Sequence, residues 1–370
     1  MPEIPLRETE QTLPSQPAGG DFAAHLLPPP FTVRDIFVGA DGLRAGWGLL
    51  LFAALFLVLV DASAVLVHTI RDLGRDRSHA TASQSAFTAP MPPHVVYLNE
   101  GVPLFCAIVA TWLMGKIERR PFSGYGYAPR RLLRNFFAGL AWGVALLSLL
   151  VAILRATGLL VFNARLLFGR SALRYGLIWL AGFLLVALLE EVLTRGYAQF
   201  TLTRGLSAIY RHLFDPARAN ALGFWTAAFI LSFAFGFDHR GNPGESPLGL
   251  LSAGLAGFLL CLSLWRTGSL WWAIGFHTSW DWAQSFLYGV ADSGIMVQGH
   301  LFATHPVGRS YLSGGLTGPE GSLFLLPVVL AGATVILLTL PRTHLGYTPA
   351  GTPRPSLHWS KFPVGVKRRP

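Results

Sequence analysis

Charged residues are scarce in this chain: Asp, Glu, Lys and Arg make up only 13% of its 370 residues, whereas hydrophobic residues make up 52%. An average soluble domain is about 25% charged. So low a charge content, with a positive mean hydropathy, excludes an ordinary soluble protein and indicates an integral membrane protein. We therefore predict an all-α fold, a polytopic integral membrane helical bundle with about eight transmembrane helices.

Cysteine is rare as well. The chain has only Cys106 and Cys261, which lie far apart in apolar segments, so the sequence indicates neither a disulfide nor a thiolate metal site. The first residues also lack the basic start and apolar core of a signal peptide. Because residues 1–44 are proline-rich and carry three glutamates near their start, we predict a disordered cytoplasmic tail there.

Apolar runs long enough to cross a membrane recur along the chain. A spanning helix needs roughly 20 mostly apolar residues. The candidate spans are 45–67, 95–115, 136–154, 175–200, 221–237, 248–265, 270–291 and 322–340. The apolar patch 159–168 is too short to span and contains Arg165, so we predict that it lies at the membrane interface.

Positive charge is unevenly distributed between the two sides of the predicted bundle. With the N-terminus inside, the cytoplasmic segments hold 20 of the 29 Lys and Arg residues, and the positive-inside rule then places both termini in the cytoplasm. The net charge of +10 indicates contact with an anionic lipid bilayer. Nucleic acid is not an expected partner, because the sequence has no basic helix with interleaved aromatic residues.

Ionisable groups inside the predicted spans gather in three places. In "EEVLTRG", Glu191 and Arg195 are spaced to pair on one helix face, whereas Glu190 points about 100° away from Glu191. The second place is "SFAFGFDHR", in which His239 ends the fifth span. The third is "GFHTSWDWA", where His277 and Asp281 have the spacing at which two groups on one helix can hold one ion or water.

Each of these groups can instead have a purely structural role. Glu191 and Arg195 can form a structural clamp, His239 can cap a helix end, and Asp281 can orient the His277 ring. Glu100, isolated in the second span, is expected to be a packing polar group. Charges inside a bilayer are costly, however, and two histidines and two spare carboxylates on three apolar helices are expensive to keep for packing alone. Together they indicate a functional site.

The three motifs, in this order and spacing, resemble those of the CAAX protease and bacteriocin-processing (CPBP) family of intramembrane metalloproteases, which includes the Ras-converting endopeptidase. The resemblance extends from about Leu180 to Trp282. It implies an endopeptidase that hydrolyses membrane-associated peptide or protein substrates, and we expect it in the inner membrane of a bacterial cell.

The spans and the composition divide the chain into parts, and the resemblance implies a role for each motif residue. We expect N-terminal transmembrane helices in 45–170, catalytic core helices in 171–291, a loop and last transmembrane helix in 292–340, and a basic cytoplasmic tail in 341–370. By this resemblance, Glu190 is the general base, and His239 is its partner that holds the water or a metal. Glu191 and Arg195 support the motif helix. His277, with the residue four positions later, stabilises the oxyanion, and Phe235 forms a wall of the pocket.

That last position departs from the family pattern, because Asp281 stands where Asn is frequent. An Asn amide can donate to an oxyanion, whereas an ionised carboxylate cannot. Asp281 is then a protonated acid, a group that orients His277, or a ligand to a divalent metal. We favour a metal, Zn or a similar ion, with Glu190, His239, His277 and Asp281 as ligands. A metal-free mechanism driven by the glutamate stays open.

The competing hypothesis is a non-catalytic membrane scaffold or a transporter, since buried charges also mark ion and substrate pathways. Geometry raises a further question. On straight spans, His277 lies about 10 Å from the cytoplasmic start of its helix, whereas His239 lies near the far end of its own. The two histidines meet only if helices tilt, the span boundaries shift, or the segment after His239 folds back into the protein.

Overall fold

The computed structural model describes residues 32–39, 42–74, 90–129 and 131–341. Most of the two predicted tails, 1–44 and 341–370, lies outside the described residues. Within these ranges the chain is predominantly helical, and its two small sheets have two strands each. The predicted fold class, an all-α polytopic membrane bundle, is confirmed.

Eleven α-helices, two π-helical segments and three 3₁₀ turns make up the helical structure of the described residues. The α-helices are α1 Val33–Phe37, α2 Ala45–Gly74, α3 Pro93–Ile117, α4 Leu132–Ala156, α5 Gly169–Glu191, α6 Gln199–Tyr210, α7 Pro216–Asp238, α8 Pro247–Thr267, α9 Trp271–Asp281, α10 Ser310–Ser313 and α11 Leu325–Thr339. The π-helical segments are Val192–Ala198 and Trp282–Leu287, and the 3₁₀ turns are Phe122–Tyr125, His239–Gly241 and Pro319–Gly321.

Six helical segments of the described chain are long and apolar enough to cross a membrane. They are Ala45–Val67, Pro93–Ile117, Leu132–Ala156, Gly169–Tyr210, Pro216–Gly241 and Pro247–Thr267. The last two predicted spans are shorter in the structure, because 270–291 contains only α9 and a π-helical segment, and 322–340 contains only the 15 residues of α11. Helix α9 is apolar because the protein buries it, which hydropathy alone does not distinguish from contact with lipid. Helix α11, in contrast, exposes Leu330 and Leu338.

The two sheets are short antiparallel pairs at the edges of the bundle. Strand β1 Val38–Gly39 pairs with β2 Gly42–Leu43 before the first long helix. Strand β3 Leu160–Arg165 pairs with β4 Phe302–Pro306. The patch that we expected at the membrane interface, 159–168, therefore contains a strand that is tied to a distant part of the chain.

Helix α9 lies at the centre of the bundle. Nine of its 11 residues are buried. Its large side chains Trp272, Phe276 and Trp280 join one hydrophobic core with Leu147 and Leu150 of α4. A helix with so many large apolar side chains is expected inside a large structure, and the position of α9 fixes where its few polar residues point.

Glycines let α4 and α9 touch through their backbones. A Cβ built on Gly139 would overlap the carbonyl oxygen of Trp272, and one built on Gly143 would overlap that of Phe276. The contact is reciprocal, since a Cβ on Gly275 of α9 would overlap the carbonyl oxygen of Phe136. The G-x-x-x-G spacing in α4 thus serves close helix packing.

The capping segment, residues 288–324, folds back against the bundle between the second π-helical segment and α11. The Met91 N–H donates to the Met296 carbonyl at 2.7 Å, and the Trp179 Nε1–H donates to the Gln298 carbonyl at 2.8 Å. The Trp280 Nε1–H donates to Glu320 Oε1 at 2.8 Å. These bonds attach the capping segment to the start of α3, to α5 and to α9.

We expect Gly143→Ala to lower the free energy of unfolding by about 1–3 kcal/mol, because the new methyl group overpacks the contact between α4 and α9. Thermal unfolding of the detergent-solubilised protein measures the change. Gly46→Ala is the matched control, since a Cβ at Gly46 meets no atom within 4 Å. Equal melting temperatures for the two variants would contradict the proposed backbone contact.

Candidate active site

A cavity of about 310 Å³ brings the predicted site residues together. Its wall includes Glu190 from α5, Phe235 and His239 from the end of α7, and His277 and Asp281 from α9. The wall also includes residues of α3, α4, α8, α11 and the capping segment. The motifs predicted to act together therefore do share one cavity.

The depth conflict between the two histidines disappears in the structure. Helix α9 begins only at Trp271 and is followed by a π-helical segment, so the predicted seventh span has shifted boundaries. The capping segment covers the end of the bundle at which α7 finishes, and its Ser293 and Ile295 line the same cavity as His239 and His277. Irregular backbone of this kind is tolerated where it lines a cavity inside the protein.

His277 lies among three carboxylates. Its Nε2 is 3.4 Å from Glu190 Oε2 and 3.5 Å from Asp281 Oδ2, and its Nδ1 is 3.2 Å from Glu191 Oε1. Both ring nitrogens thus face oxygen acceptors. The doubly protonated imidazolium, with a donor at each nitrogen, satisfies this arrangement.

Glu191 and Arg195 form the predicted ion pair, and the pair is buried. Arg195 Nη1 donates to Glu191 Oε1 at 3.0 Å, and the exposed fractions of the two side chains are 1% and 0%. The same Glu191 oxygen faces His277 Nδ1, and the Arg195 guanidinium lies 4.6 Å from the centre of the Phe235 ring. The pair therefore connects α5 to both of the other motif helices.

His239 is held by its own helix. Its Nδ1 lies 2.9 Å from the Phe235 carbonyl oxygen, and its ring meets the Phe235 ring edge-on with the centroids 4.7 Å apart. A carbonyl oxygen can only accept, so Nδ1 carries the hydrogen. In the neutral ring Nε2 then keeps a lone pair that can accept a proton from water.

Asp281 is placed to orient His277. Of the three roles open to it, this one is supported by the 3.5 Å contact between Asp281 Oδ2 and His277 Nε2. A carboxylate on the preceding or following turn fixes the ring orientation of a histidine in many sites.

The four predicted metal ligands do not form a ready metal site as they are placed. Among the described residues, no three His, Cys, Asp or Glu side chains are arranged to hold one ion. His277 directs both of its nitrogens at carboxylate oxygens, which leaves neither free for a metal. We therefore derive no catalytic step through a metal.

A π-helical segment follows directly after the carboxylates of α5 and after Asp281 of α9. Val192–Ala198 starts after Glu191, and Thr194 Oγ1 within it donates to the Glu190 carbonyl. At Gly196, a Cβ would overlap the Tyr127 hydroxyl, which explains the glycine at the end of "EEVLTRG". Such segments are frequent at functional sites, and the sequence patterns did not predict either of them.

Sequence reasoning also missed three acidic residues of the cavity wall. Glu100 of α3, which was expected to be a packing residue, lines the cavity, as do Asp292 and Glu320 of the capping segment.

Asp292 accepts from Gln284 Nε2 and Ser285 Oγ at 3.4 and 3.3 Å. Burial, together with the nearby Asp281 and Glu320 carboxylates, raises the pKa of the Asp292 carboxyl well above its ordinary value. An acidic residue in an apolar span was the only available signal, and it applied to Glu100 alone.

The region that builds this site matches the model of a known protein family. The family is described as type II CAAX prenyl endopeptidase Rce1-like, and the match covers residues 172–283. Over this region the chain is similar to the CAAX protease family. It contains all three motifs, so the family predicted from them is confirmed, and the family is one of peptide hydrolases. Comparisons with the curated proteins and with the solved structures returned no match.

We expect Arg195→Met to lower the free energy of unfolding by roughly 3 kcal/mol or more, because it leaves the buried Glu191 carboxylate without its main cation. The double variant Glu191→Gln/Arg195→Met should be less destabilised than Arg195→Met alone. Chemical unfolding in detergent measures both. Arg218→Met is the control, because the exposed pair of Arg218 and Asp215 contributes at most about 1 kcal/mol. A double variant less stable than Arg195→Met would contradict this account.

Proposed function

We propose that this protein is an intramembrane endopeptidase that hydrolyses peptide bonds of membrane-associated substrates. The observation that carries the proposal is that Glu190, His239 and His277, from three separate helices of the matched region, line one cavity. Most of the remaining wall is apolar, and such a cavity can hold an extended peptide segment while keeping its polar groups few and specific.

In the first step, a water lies between Glu190 and His239. Glu190 Oε2 faces His277, so Oε1 is the oxygen available to the water. Glu190 takes a proton while the water oxygen attacks the carbonyl carbon of the substrate. The electron pair of the C=O double bond moves to oxygen, which gives a tetrahedral intermediate with one negative charge.

In the second step, the intermediate collapses and the C–N bond breaks. The proton held by Glu190 passes to the leaving nitrogen, so the products are a carboxylic acid and an amine. Protonation of Glu190 removes the negative charge that the His277 Nε2–H faces, so this N–H can then donate to the negative oxygen and stabilise it while it exists. Asp281 and Glu191 keep the ring oriented, each through one of its nitrogens. Glu191 and Arg195 act as positioning residues, since they contact His277 and Phe235 rather than the substrate.

The residues of the cavity indicate the type of reaction more directly than they indicate the substrate. The description of the matched family names a CAAX prenyl endopeptidase, and CAAX denotes a C-terminal motif whose cysteine is prenylated. For this chain we propose the broader class of membrane-associated peptides, reached from the lipid bilayer. The alternative is a membrane scaffold or transporter without catalysis. It does not explain why groups that can activate water line one cavity.

We expect Glu190→Gln to reduce peptide hydrolysis by about 10²–10⁴-fold, because the amide cannot accept the proton from water. The assay is the release of fluorescence from quenched peptides by the purified protein in liposomes. Glu245→Gln makes the same chemical change outside the cavity wall and should leave the rate unchanged. Circular dichroism confirms that the helices are intact. Full activity of Glu190→Gln would favour the scaffold or transporter.

The metal predicted from the sequence is tested separately, by elemental analysis of the purified protein. If a divalent metal assists hydrolysis, about one zinc or similar ion per chain should be present and should be lost in both Glu190→Gln and His239→Ala. Folded protein that cleaves peptides without such an ion would show that the glutamate acts alone.

A further inference from the structure

Half of the acidic residues of the cavity wall lie outside the region that the family match covers. Glu100 belongs to α3, and Asp292 and Glu320 belong to the capping segment, whereas the match ends at residue 283. None of these three residues has a role in the hydrolysis proposed above. Their common feature is a carboxyl group that faces the cavity.

The charge of the cavity is unbalanced. Six carboxylates line it, and they are Glu100, Glu190, Asp238, Asp281, Asp292 and Glu320. Of the described residues in the wall, none is lysine or arginine, so two histidines are the only basic side chains there. Carboxylates held together in a partly desolvated space are unfavourable unless protons or a cationic ligand offset them.

Among the described residues, the carboxylates of the capping segment accept side-chain hydrogen bonds only from uncharged donors. Glu320 accepts from Trp280 Nε1 at 2.8 Å and from Ser293 Oγ at 3.2 Å. Neutral bonds of this kind fix the direction of a carboxylate but do not cancel its charge. Each oxygen of Glu320 keeps a lone pair that a cationic group in the cavity can reach.

A buried hydroxyl in the same wall gives independent evidence for a ligand. Ser252 of α8 lines the cavity and is only 1% exposed. Its Oγ has no hydrogen-bond partner among the described residues. A buried hydroxyl without a partner is destabilising, and a ligand N–H group in the cavity would satisfy it.

We propose that the cavity binds a peptide segment with a lysine or arginine side chain close to the bond that is cleaved. The proposal rests on the proposed function and names its substrate class. The apolar walls, which include Phe183, Leu259 and Val328, accommodate the aliphatic stem of the basic side chain. The carboxylates of Glu100 and Glu320 receive its charged end.

The same wall disfavours a C-terminal carboxylate near the cleaved bond. In a CAAX substrate the chain ends three residues after the cysteine, so its carboxylate lies within about 10 Å of the bond that follows the cysteine. In this cavity it would meet carboxylates and no lysine or arginine of the described wall. The preferred substrate is therefore cleaved at an internal bond, or carries a basic residue in place of the free carboxylate.

Equilibrium binding to the Glu190→Gln protein tests the proposal without requiring catalysis. The probes are amidated peptides with one apolar core whose central residue is lysine, norleucine or glutamate. We expect the lysine peptide to bind about tenfold more tightly than the norleucine peptide, and the glutamate peptide to bind more weakly than both. A farnesylated peptide that ends in a CAAX motif should bind more weakly as the free acid than as the amide.

Variants of the acidic wall identify its contribution. In the Glu190→Gln background, Glu100→Gln and Glu320→Gln should each reduce the preference for lysine to about threefold or less. Glu320→Gln keeps an oxygen that accepts from Trp280, so the capping segment stays attached. Asp215→Asn is the control, because Asp215 caps α7 at an exposed position and Asn can replace it as a cap.

The outcomes separate this proposal from the proposed function. Equal affinities for the lysine, norleucine and glutamate peptides overturn the basic-peptide site, even if the unmodified protein cleaves all three. A preference for lysine that persists unchanged in both wall variants overturns it as well. Selective binding of the lysine peptide without cleavage by the unmodified protein supports the site and overturns the proposed hydrolysis instead.

Discussion

The site depends on one buried oxygen atom. Glu191 Oε1 is shared by the Arg195 guanidinium of the same helix and by His277 Nδ1 of α9. A carboxylate with no solvent exposure is stable as an anion only when cations and donors surround it. Arg195 supplies that charge locally, and the remaining capacity of the same oxygen fixes the orientation of a residue 86 positions further along the chain.

Other features of the bundle follow from the need to bring His277 to that oxygen. Helix α9 must lie inside the bundle, so most of its surface is apolar and its neighbour α4 approaches through glycines. The motif arginine also stacks on Phe235, whose carbonyl oxygen accepts from His239. The three motifs are thus joined through direct contacts, so a substitution in one of them is expected to alter the side-chain positions in the other two.

The sequence predicts the local parts of this arrangement well. The Glu191–Arg195 pair and the proximity of His277 and Asp281 follow from helical spacing, and the family was identified from the order of the motifs. The acidic wall depends on contacts between distant segments, and no spacing rule relates Glu100 to Glu320. The length of α9 was overestimated because a buried apolar helix and a lipid-facing one have the same composition. The π-helical segments escaped prediction because an extra residue in a turn leaves little trace in hydrophobic periodicity.

The capping segment also bears on how water reaches a reaction inside a bilayer. Its Gln298 carbonyl bonds to Trp179, which lies ten residues, or about 15 Å, along α5 from its first residue. Polar backbone is thus brought well below the end of a membrane-spanning helix. Exposed to lipid it would be severely destabilised, but here it lies next to Val297, which lines the cavity, and is sheltered by the protein. For the proposed hydrolysis, a polar segment at this depth would bring one reactant from the water phase, while the other arrives from the lipid phase.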